Sequence, residues 1–468
     1  MKILLTNSPL QFYMVPVFMH ADWDVLNLPQ LAAMVWREHE VRIIDNWRGW
    51  FRQEMATKEA RKFCPDIVGI SNSTIADNDR AIQMARQIRQ ENKNALMITG
   101  GQAATTYYRD FLDSAFDIVV LGEGEYTFKE IVERFASGKR DFSNIAGLAY
   151  KDKGEYKITP PRSFEPNLDN FPFPAWELLP PRKSVMFRNT RASVIETSRG
   201  CPFGCDFCTV QSFWKRSLRE KSNERIVAEL KHLKFKLGVG QLYIIDDCFC
   251  LNVKKYTELF EMMLRENVTV KFFVQGIRPD IVANNPNMMR LAARAGLWGC
   301  LVGFDSYNED ELSNVGKTGG MNVNVRASNI MRKNGIVVHG VHMFGIPGFS
   351  PAGFEKTFQL GMRYSDTFRI SRFSLIPGTP LFNKMAAEGQ VLRMRELYLP
   401  YQNRIKEDPK KLKKMERLYF LYVFFGLLAI KEFIASRGNA RRLKIRAYIS
   451  SFRYVMYAFL RKVRLELL

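Results

Sequence analysis

Arg199-Gly200-Cys201-Pro202-Phe203-Gly204-Cys205-Asp206-Phe207-Cys208 sets three cysteines in a C-x-x-x-C-x-x-C run just after a strand candidate at 193–197. Thiolates are soft ligands that suit iron–sulfur clusters, and three on one short loop can bind three irons of a cubane. The fourth iron then has no protein ligand and stays open, as a catalytic zinc keeps an open position. A structural zinc is the second reading; it needs a fourth Cys or His, which Cys248, Cys250 or Cys300 can offer. Inert buried cysteines are the third. Spacing alone leaves all three open.

The segments downstream repeat a strand–helix alternation. Strand candidates at 193–197, 242–245, 271–275, 301–304, 337–344 and 369–375 number about six. Over 190–385 that count suits a partial (β/α)6 barrel better than a closed eight-unit one. Upstream, 151–189 reads as a linker, because 159–181 alone holds seven prolines. Residues 1–150 alternate again, with strands at 2–6, 41–45, 67–71, 95–99 and 118–121 and helices at 28–38 and 77–92. Apolar, β-branched strands separated by helices predict a doubly wound parallel sheet, so the chain is α/β throughout these regions. In such sheets ligands sit outside the carboxyl ends of the strands. Small and polar residues fall there: Ser71, Ser73 and Thr74, then Gly100, Gly101 and Gln102, then Gly122, Glu123 and Gly124.

With 468 residues the chain has room for two or three domains, and 46% hydrophobic with 25% charged residues is globular composition. The opening Met1-Lys2-Ile3-Leu4-Leu5-Thr6-Asn7 lacks an h-region and a cleavage site, so it reads as a first strand and the expected location is the cytoplasm. In a reducing compartment a tight cysteine cluster points to metal or catalysis before disulfides. The net charge of +21 invites a nucleic-acid partner, but net +12 of it lies in 401–468, with 17 Lys+Arg against 5 Asp+Glu. This basic tail, 386–468, is expected to be helical. Its apolar run 418–430 is too short to span a bilayer, which needs roughly 20 residues.

The cysteine loop resembles the signature of the radical S-adenosylmethionine (SAM) superfamily, and later segments resemble its cobalamin-associated branch in the same order. These are Asp246-Asp247, Gln275-Gly276-Ile277-Arg278-Pro279-Asp280, Gly303-Phe304-Asp305-Ser306, 340–348 and 375–380. The resemblance implies a 4Fe-4S cluster on Cys201, Cys205 and Cys208, with SAM chelating the open iron. An electron then cleaves SAM to a 5′-deoxyadenosyl radical that takes hydrogen from an unactivated carbon. It also implies Phe207 against the adenine, Asp246 or Asp247 near the methionine amino group, and Arg278 and Asp305 at the carboxylate or ribose, with Gln275 in the same set. The family usually has Glu where Asp305 stands, and the shorter carboxylate reaches less far. The bland alternative for each of these strand-end residues is ordinary capping and turn chemistry.

Residues 60–130 resemble the cobalamin-binding module of that branch through 65–71, 98–103 and Leu121-Gly122-Glu123-Gly124-Glu125. By that likeness the small residues at the strand ends receive the cofactor's nucleotide tail. The Asp-x-His-x-x-Gly cobalt-ligand pattern is missing, as it is from many members of the branch. The implied reaction is cobalamin-dependent C-methylation of a hydrophobic substrate, a lipid or a tetrapyrrole; the alternative is cyclisation or C–C coupling without methyl transfer. An electron donor such as ferredoxin or flavodoxin is implied.

Cations and aromatics interleave in the tail (Lys410, Lys411, Lys413, Lys414, Arg441, Arg442, with Tyr448, Phe452, Tyr454), which suits an anionic membrane surface. A solvated basic face on a helical cap is the plain alternative. Radical SAM enzymes that methylthiolate transfer RNA carry a second cysteine triplet N-terminally, where this chain has only Cys64, and that counts against nucleic acid.

Overall fold

Two parallel sheets organise the chain, one in each of two compact units that meet in sequence at Pro181 and Arg182. The computed structural model describes residues 1–9, 25–46, 55–74, 77–183, 187, 190–348, 350–396 and 399–405.

The first unit contains β1 (Lys2–Asn7), β2 (Glu40–Ile44), β3 (Ile67–Ser71), β4 (Leu96–Gly100), β5 (Ile118–Val120), β6 (Leu148–Asp152) and β7 (Glu155–Ile158). They lie in the order β2-β1-β3-β4-β5-β6-β7. The first five are parallel, so the order reverses between β1 and β3 and opens a crevice at their carboxyl ends. Helix Asn78–Glu91 buries Ala81, Met84, Ala85 and Ile88, an i, i+3, i+4, i+7 stripe laid on the sheet. The sheet does not stop at 150. β6 and β7 pair antiparallel as a hairpin whose turn residues Lys153 and Gly154 both take positive φ, which suits a two-residue turn. Leu148 and Ala149 anchor β6, fully buried beside β5, and the hairpin they begin runs on to Ile158, so 151–158, the start of the region read as a linker, is an edge of the sheet.

The second unit orders β16 (Thr367–Arg372), β15 (Val337–Phe344), β14 (Leu297–Asp305), β13 (Lys271–Ile277), β12 (Val239–Ile244), β9 (Arg191–Ile195) and β8 (Arg182–Lys183). Six strands are parallel and follow chain order across the sheet; β8 adds an antiparallel edge to β9. Each strand–helix unit adds to the same side of the sheet, which is the topology of a partial six-unit barrel. Helix Val253–Arg265 buries Tyr256, Leu259, Phe260 and Met263, and its Phe260 stacks on Phe272 of β13 at 6.3 Å.

The tail departs from the helical expectation where it is described. Helix Pro380–Ala387 ends before Gly389 (φ +66°), and β17 (Val391–Glu396) then pairs antiparallel with β18 (Leu399–Ile405). The run Leu392-Arg393-Met394-Arg395 alternates apolar and charged residues with the period of two that a strand requires. The apolar run 418–430 and the basic positions from 410 onward lie outside the described residues.

Candidate active site

The cysteine loop leaves from a short antiparallel pair, β10 (Ser198–Gly200) with β11 (Leu218–Glu220). Gly200 takes φ +88°, and a Cβ there would sit 2.2 Å from the Ser217 carbonyl oxygen, so only glycine can lead into Cys201. The far side of the loop is pinned by backbone. Asp206 donates its N–H to the Val315 carbonyl and accepts from the Leu381 N–H, both at 3.0 Å. The Gln211 amide donates to the Cys205 carbonyl at 2.6 Å. Phe207 and Phe373 meet in a T-shaped pair at 6.2 Å, at the border of the apolar cluster around Phe344, Ile346 and Leu375.

The two adjacent aspartates after β12 have different surroundings. Asp246 is buried, and its carboxylate accepts from the Thr197 N–H (2.7 Å), the Thr197 hydroxyl, the Ser198 hydroxyl (2.8 Å) and the Tyr256 hydroxyl (3.3 Å). It clamps the end of β9 to β12 and is spent in doing so. Asp247 makes a bond to the Gly200 N–H at 2.9 Å and keeps accessible surface, although protein atoms crowd it from all around. Burial pushes its pKa up to about 6, against the Gly200 hydrogen bond and aided by the charges of Asp246 and Glu196.

Gln275 and Gly276 are half-buried on β13, and a Cβ on Gly276 would touch the Asp247 carbonyl at 3.1 Å. Arg278 lies beyond the strand end with its guanidinium 3.7 Å from the centroid of the Phe203 ring, over the cysteine loop itself. Asp280 grips it through Nε (2.9 Å) and an Nη (2.8 Å), and the Thr318 hydroxyl accepts a third bond at 3.1 Å. Burial opposes the Arg278 charge, and the Asp280 contacts outweigh it, holding the pKa above the ordinary value. At the end of β14, Asp305 takes φ +58°, an uncommon conformation for a non-glycine residue, and is ion-paired with buried Lys317. Lys317 also donates to the Gly303 carbonyl at 2.7 Å. Sequence reasoning missed Lys317 and Phe203. The signal for Lys317 was the run Gly316-Lys317-Thr318-Gly319-Gly320, in which Gly316 (φ +66°) would bring a Cβ to 3.0 Å from the Gly204 carbonyl.

The three loop thiols are free and half-buried. The neighbouring Cys248 thiol, helped by the Phe203 backbone and the Arg278 charge and against burial, draws the Cys201 pKa down to about 7. Burial raises Cys205, and raises Cys208 to about 11. Burial disfavours a bare thiolate, and a metal cation that takes the proton's place supplies the positive charge such a sulfur then needs. Among the described residues no three Cys, His, Asp or Glu side chains converge as ligands of one ion do. A cubane instead seats its cysteines on separate irons, so its thiolates stand farther apart. The soft donor set and the glycine-led loop fit that group.

In the first unit the small residues also gather at strand ends. Gly101 (φ +109°) would place a Cβ 2.6 Å from the Asn72 carbonyl and 3.2 Å from the Ser73 hydroxyl, so β3 and β4 approach closely there. Gly122 (φ +80°) faces open space after β5, and Gly124 packs on Val120. Ser71, Gly100, Gln102 and Gly122 are half-buried, and Ser73 and Thr74 are exposed. Glu123 is buried and accepts the Glu165 N–H at 2.8 Å. At the β1/β3 crevice the Ser8 hydroxyl donates to Asn72 at 2.9 Å, and Asn7 donates to Asp45 at 3.1 Å. A shallow cradle of backbone and small side chains fits a bulky ligand that needs close approach.

Comparison with known proteins finds a family for each region of the chain. The family model of the Radical SAM superfamily matches residues 195–361, and that of the B12 binding domain matches 19–132. An uncharacterized methyltransferase of Pyrococcus horikoshii is 30% identical over 397 residues, covering 84% of this chain and 85% of that protein. The chain belongs to the radical SAM superfamily, in its cobalamin-binding branch. The hopanoid C-3 methylase of Methylococcus capsulatus is 27% identical, covering 81% of this chain and 71% of that one. Among solved structures, the radical SAM methyltransferase TsrM of Kitasatospora setae with cobalamin and a 4Fe-4S cluster bound shares the fold. Its TM-score is 0.66 at 16% identity, over 97% of this chain and 88% of that one. The protein is therefore a radical SAM enzyme with a 4Fe-4S cluster, SAM and cobalamin as cofactors. The zinc reading of the cysteines falls away.

Proposed function

We propose that this enzyme methylates an unactivated carbon of a hydrophobic molecule, a lipid or a tetrapyrrole, with Cys201, Cys205 and Cys208 holding the cluster. The observation that carries this reading is the joining of the thiol loop and the cobalamin-type sheet in one chain, over a span shared with two proteins named as methyltransferases. When bound, the cluster supplies the electron that releases a 5′-deoxyadenosyl radical from SAM, and cobalamin supplies the methyl carrier.

The chain's own residues bind and orient. Asp247 receives the methionine ammonium, because Asp246 has its oxygens occupied by Thr197 and Ser198. Arg278, held by Asp280, and the Asp305–Lys317 pair flank the carboxylate and ribose, and Gln275 lies in the same recess. Phe207, braced by Phe373, offers its face to the adenine. In the first unit Ser71, Ser73, Thr74, Gly100, Gly101, Gln102, Gly122, Glu123 and Gly124 form the cobalamin cradle.

A ferredoxin- or flavodoxin-like protein delivers the electron, and the basic tail docks on an anionic membrane surface that holds the substrate. The support for docking is the charge of 401–468. No helix among the described residues is long and apolar enough to cross a membrane.

The test is anaerobic incubation of reconstituted enzyme with methyl-labelled SAM and membrane lipid or pigment extracts. Label in an extractable product, together with deoxyadenosine, is the expected result. Deoxyadenosine with an unlabelled product lighter by two hydrogens would replace methylation by cyclisation.

A further inference from the structure

Three separate pieces of chain hold the guanidinium of Arg278. The first is helix Pro279–Asn284, whose opening turn brings Asp280 back to the residue before it. Asp280 takes the Nε–H at 2.9 Å and one Nη2–H at 2.8 Å. The second is the segment that carries Lys317 to Asp305; its Thr318 hydroxyl accepts from Nη2 at 3.1 Å. The third is the cysteine loop. The ring of Phe203, between Cys201 and Cys205, has its centroid 3.7 Å from the guanidinium carbon. That separation is van der Waals contact and sets the cation over the face of the ring.

A guanidinium has five N–H donors. Asp280 and Thr318 take three of them, on Nε and Nη2, and among the described residues no protein group accepts from Nη1. The two N–H groups of Nη1 are the donors left for a ligand, and a pair on one nitrogen suits a carboxylate. Bonds along one edge tolerate rocking of the guanidinium plane about that edge. A ring pressed on the face stops this rocking, so the direction of Nη1 is fixed while Phe203 is in place. Arg278 is 8% exposed, and a cation so shielded from water is held more firmly by an aromatic face than an exposed one.

We propose that Phe203 is a positioning residue for SAM binding: its ring fixes the plane of the Arg278 guanidinium and so aims Nη1 at the SAM carboxylate. The proposal rests on the reading that Arg278 contacts SAM. It gives the cysteine loop a second task beside that of its three thiols.

The test uses full-length protein reconstituted anaerobically and compared at equal iron and sulfide content. Phe203→Leu keeps apolar bulk and loses the aromatic face; SAM affinity by equilibrium dialysis is expected to fall roughly fivefold. KM for SAM should rise with it while kcat stays near the wild type. Phe203→Tyr keeps the face and should bind SAM as the wild type does. If the ring acts through the guanidinium, Phe203→Leu adds nothing in Arg278→Gln protein. A mere packing defect in the loop would show its whole effect there, and such additivity overturns the proposal. Unchanged affinity in Phe203→Leu, with Arg278→Gln weakened, overturns it too and leaves the reading of Arg278 intact. Arg278→Gln protein that binds SAM like the wild type sinks that reading, and the proposal with it.

A Phe203→Leu protein that takes up no cluster moves the comparison to phenylalanines with increasing ring fluorination, incorporated at position 203. These keep the shape of the ring while draining negative charge from its face. SAM affinity is expected to step down as fluorines are added. A flat series overturns the proposal.

Discussion

Asp247 accepts the backbone N–H of Gly200 at 2.9 Å, which ties the end of β12 to the residue directly before Cys201. One carboxylate therefore shapes the entry of the cysteine loop and stays accessible beside it. Its neighbour Asp246 faces the other way and closes the end of β9. This division of labour yields a sharp contrast between two similar variants.

Asp246→Asn turns an amide donor toward groups that already donate, in a fully buried setting. A loss of about 2–4 kcal/mol of stability is expected, read as a lowered Tm. Asp247→Asn removes a charge from an accessible recess, so Tm changes little while SAM affinity falls roughly tenfold, equivalent to about 1.4 kcal/mol, by equilibrium dialysis. Equal effects of the two variants on both measurements would contradict the assignment.

Replacing Cys201, Cys205 and Cys208 together by alanine should lower iron from about four per chain to near zero and abolish deoxyadenosine formation. The folded barrel should survive, since these side chains are only half-buried and leave small gaps. Iron analysis alongside circular dichroism distinguishes loss of ligands from loss of fold.

Gly200→Ala tests the loop geometry without touching a ligand. The added methyl meets the Ser217 carbonyl at a φ of +88°, so the loop must shift. Cluster content after reconstitution should drop severalfold while the three thiols remain titratable by alkylation. Normal iron content in this variant would mean the loop has slack that the structure lacks.

Buried His342 carries part of the acid sensitivity we expect. It stacks on Tyr307 at 5.4 Å, and burial lowers its pKa to about 4. The unfolded chain, with its imidazole near 6.5, binds a proton that the folded state refuses between those values. Stability is thus intact above about 6.5 and lost as pH falls toward 4, by roughly 3 kcal/mol for this group. His339, lowered to about 3 by burial and Arg369, acts in the same direction. Tm measured across that window should fall less steeply in His342→Gln than in the wild type, whatever its absolute stability.

For the tail, full-length protein is expected to float with anionic vesicles at low salt and to be released at high salt, while vesicles of neutral lipid retain none. Deletion of 406–468 should abolish flotation and leave SAM binding unchanged. Binding that is indifferent to lipid charge would remove the membrane from the account.

Much of this protein is readable along the chain because the deciding features are local. Three cysteines within eight residues carry their chemistry in their spacing, and period-two and helical patterns carry the α/β alternation. The hairpin of β6 and β7 was readable too, in Asp152-Lys153-Gly154-Glu155, but the prolines that follow drew the boundary too early. Other features depend on which strands become neighbours. Asp246 and Asp247 look alike in sequence, and only the register of β12 against β9 turns one toward Thr197 and the other toward Gly200. Lys317 reaches Asp305 across 12 residues. Spacing and periodicity act between residues close in sequence, so the chain alone carries them. A hydrogen bond or a burial penalty depends on distance in space, and those distances exist only once the strands have paired.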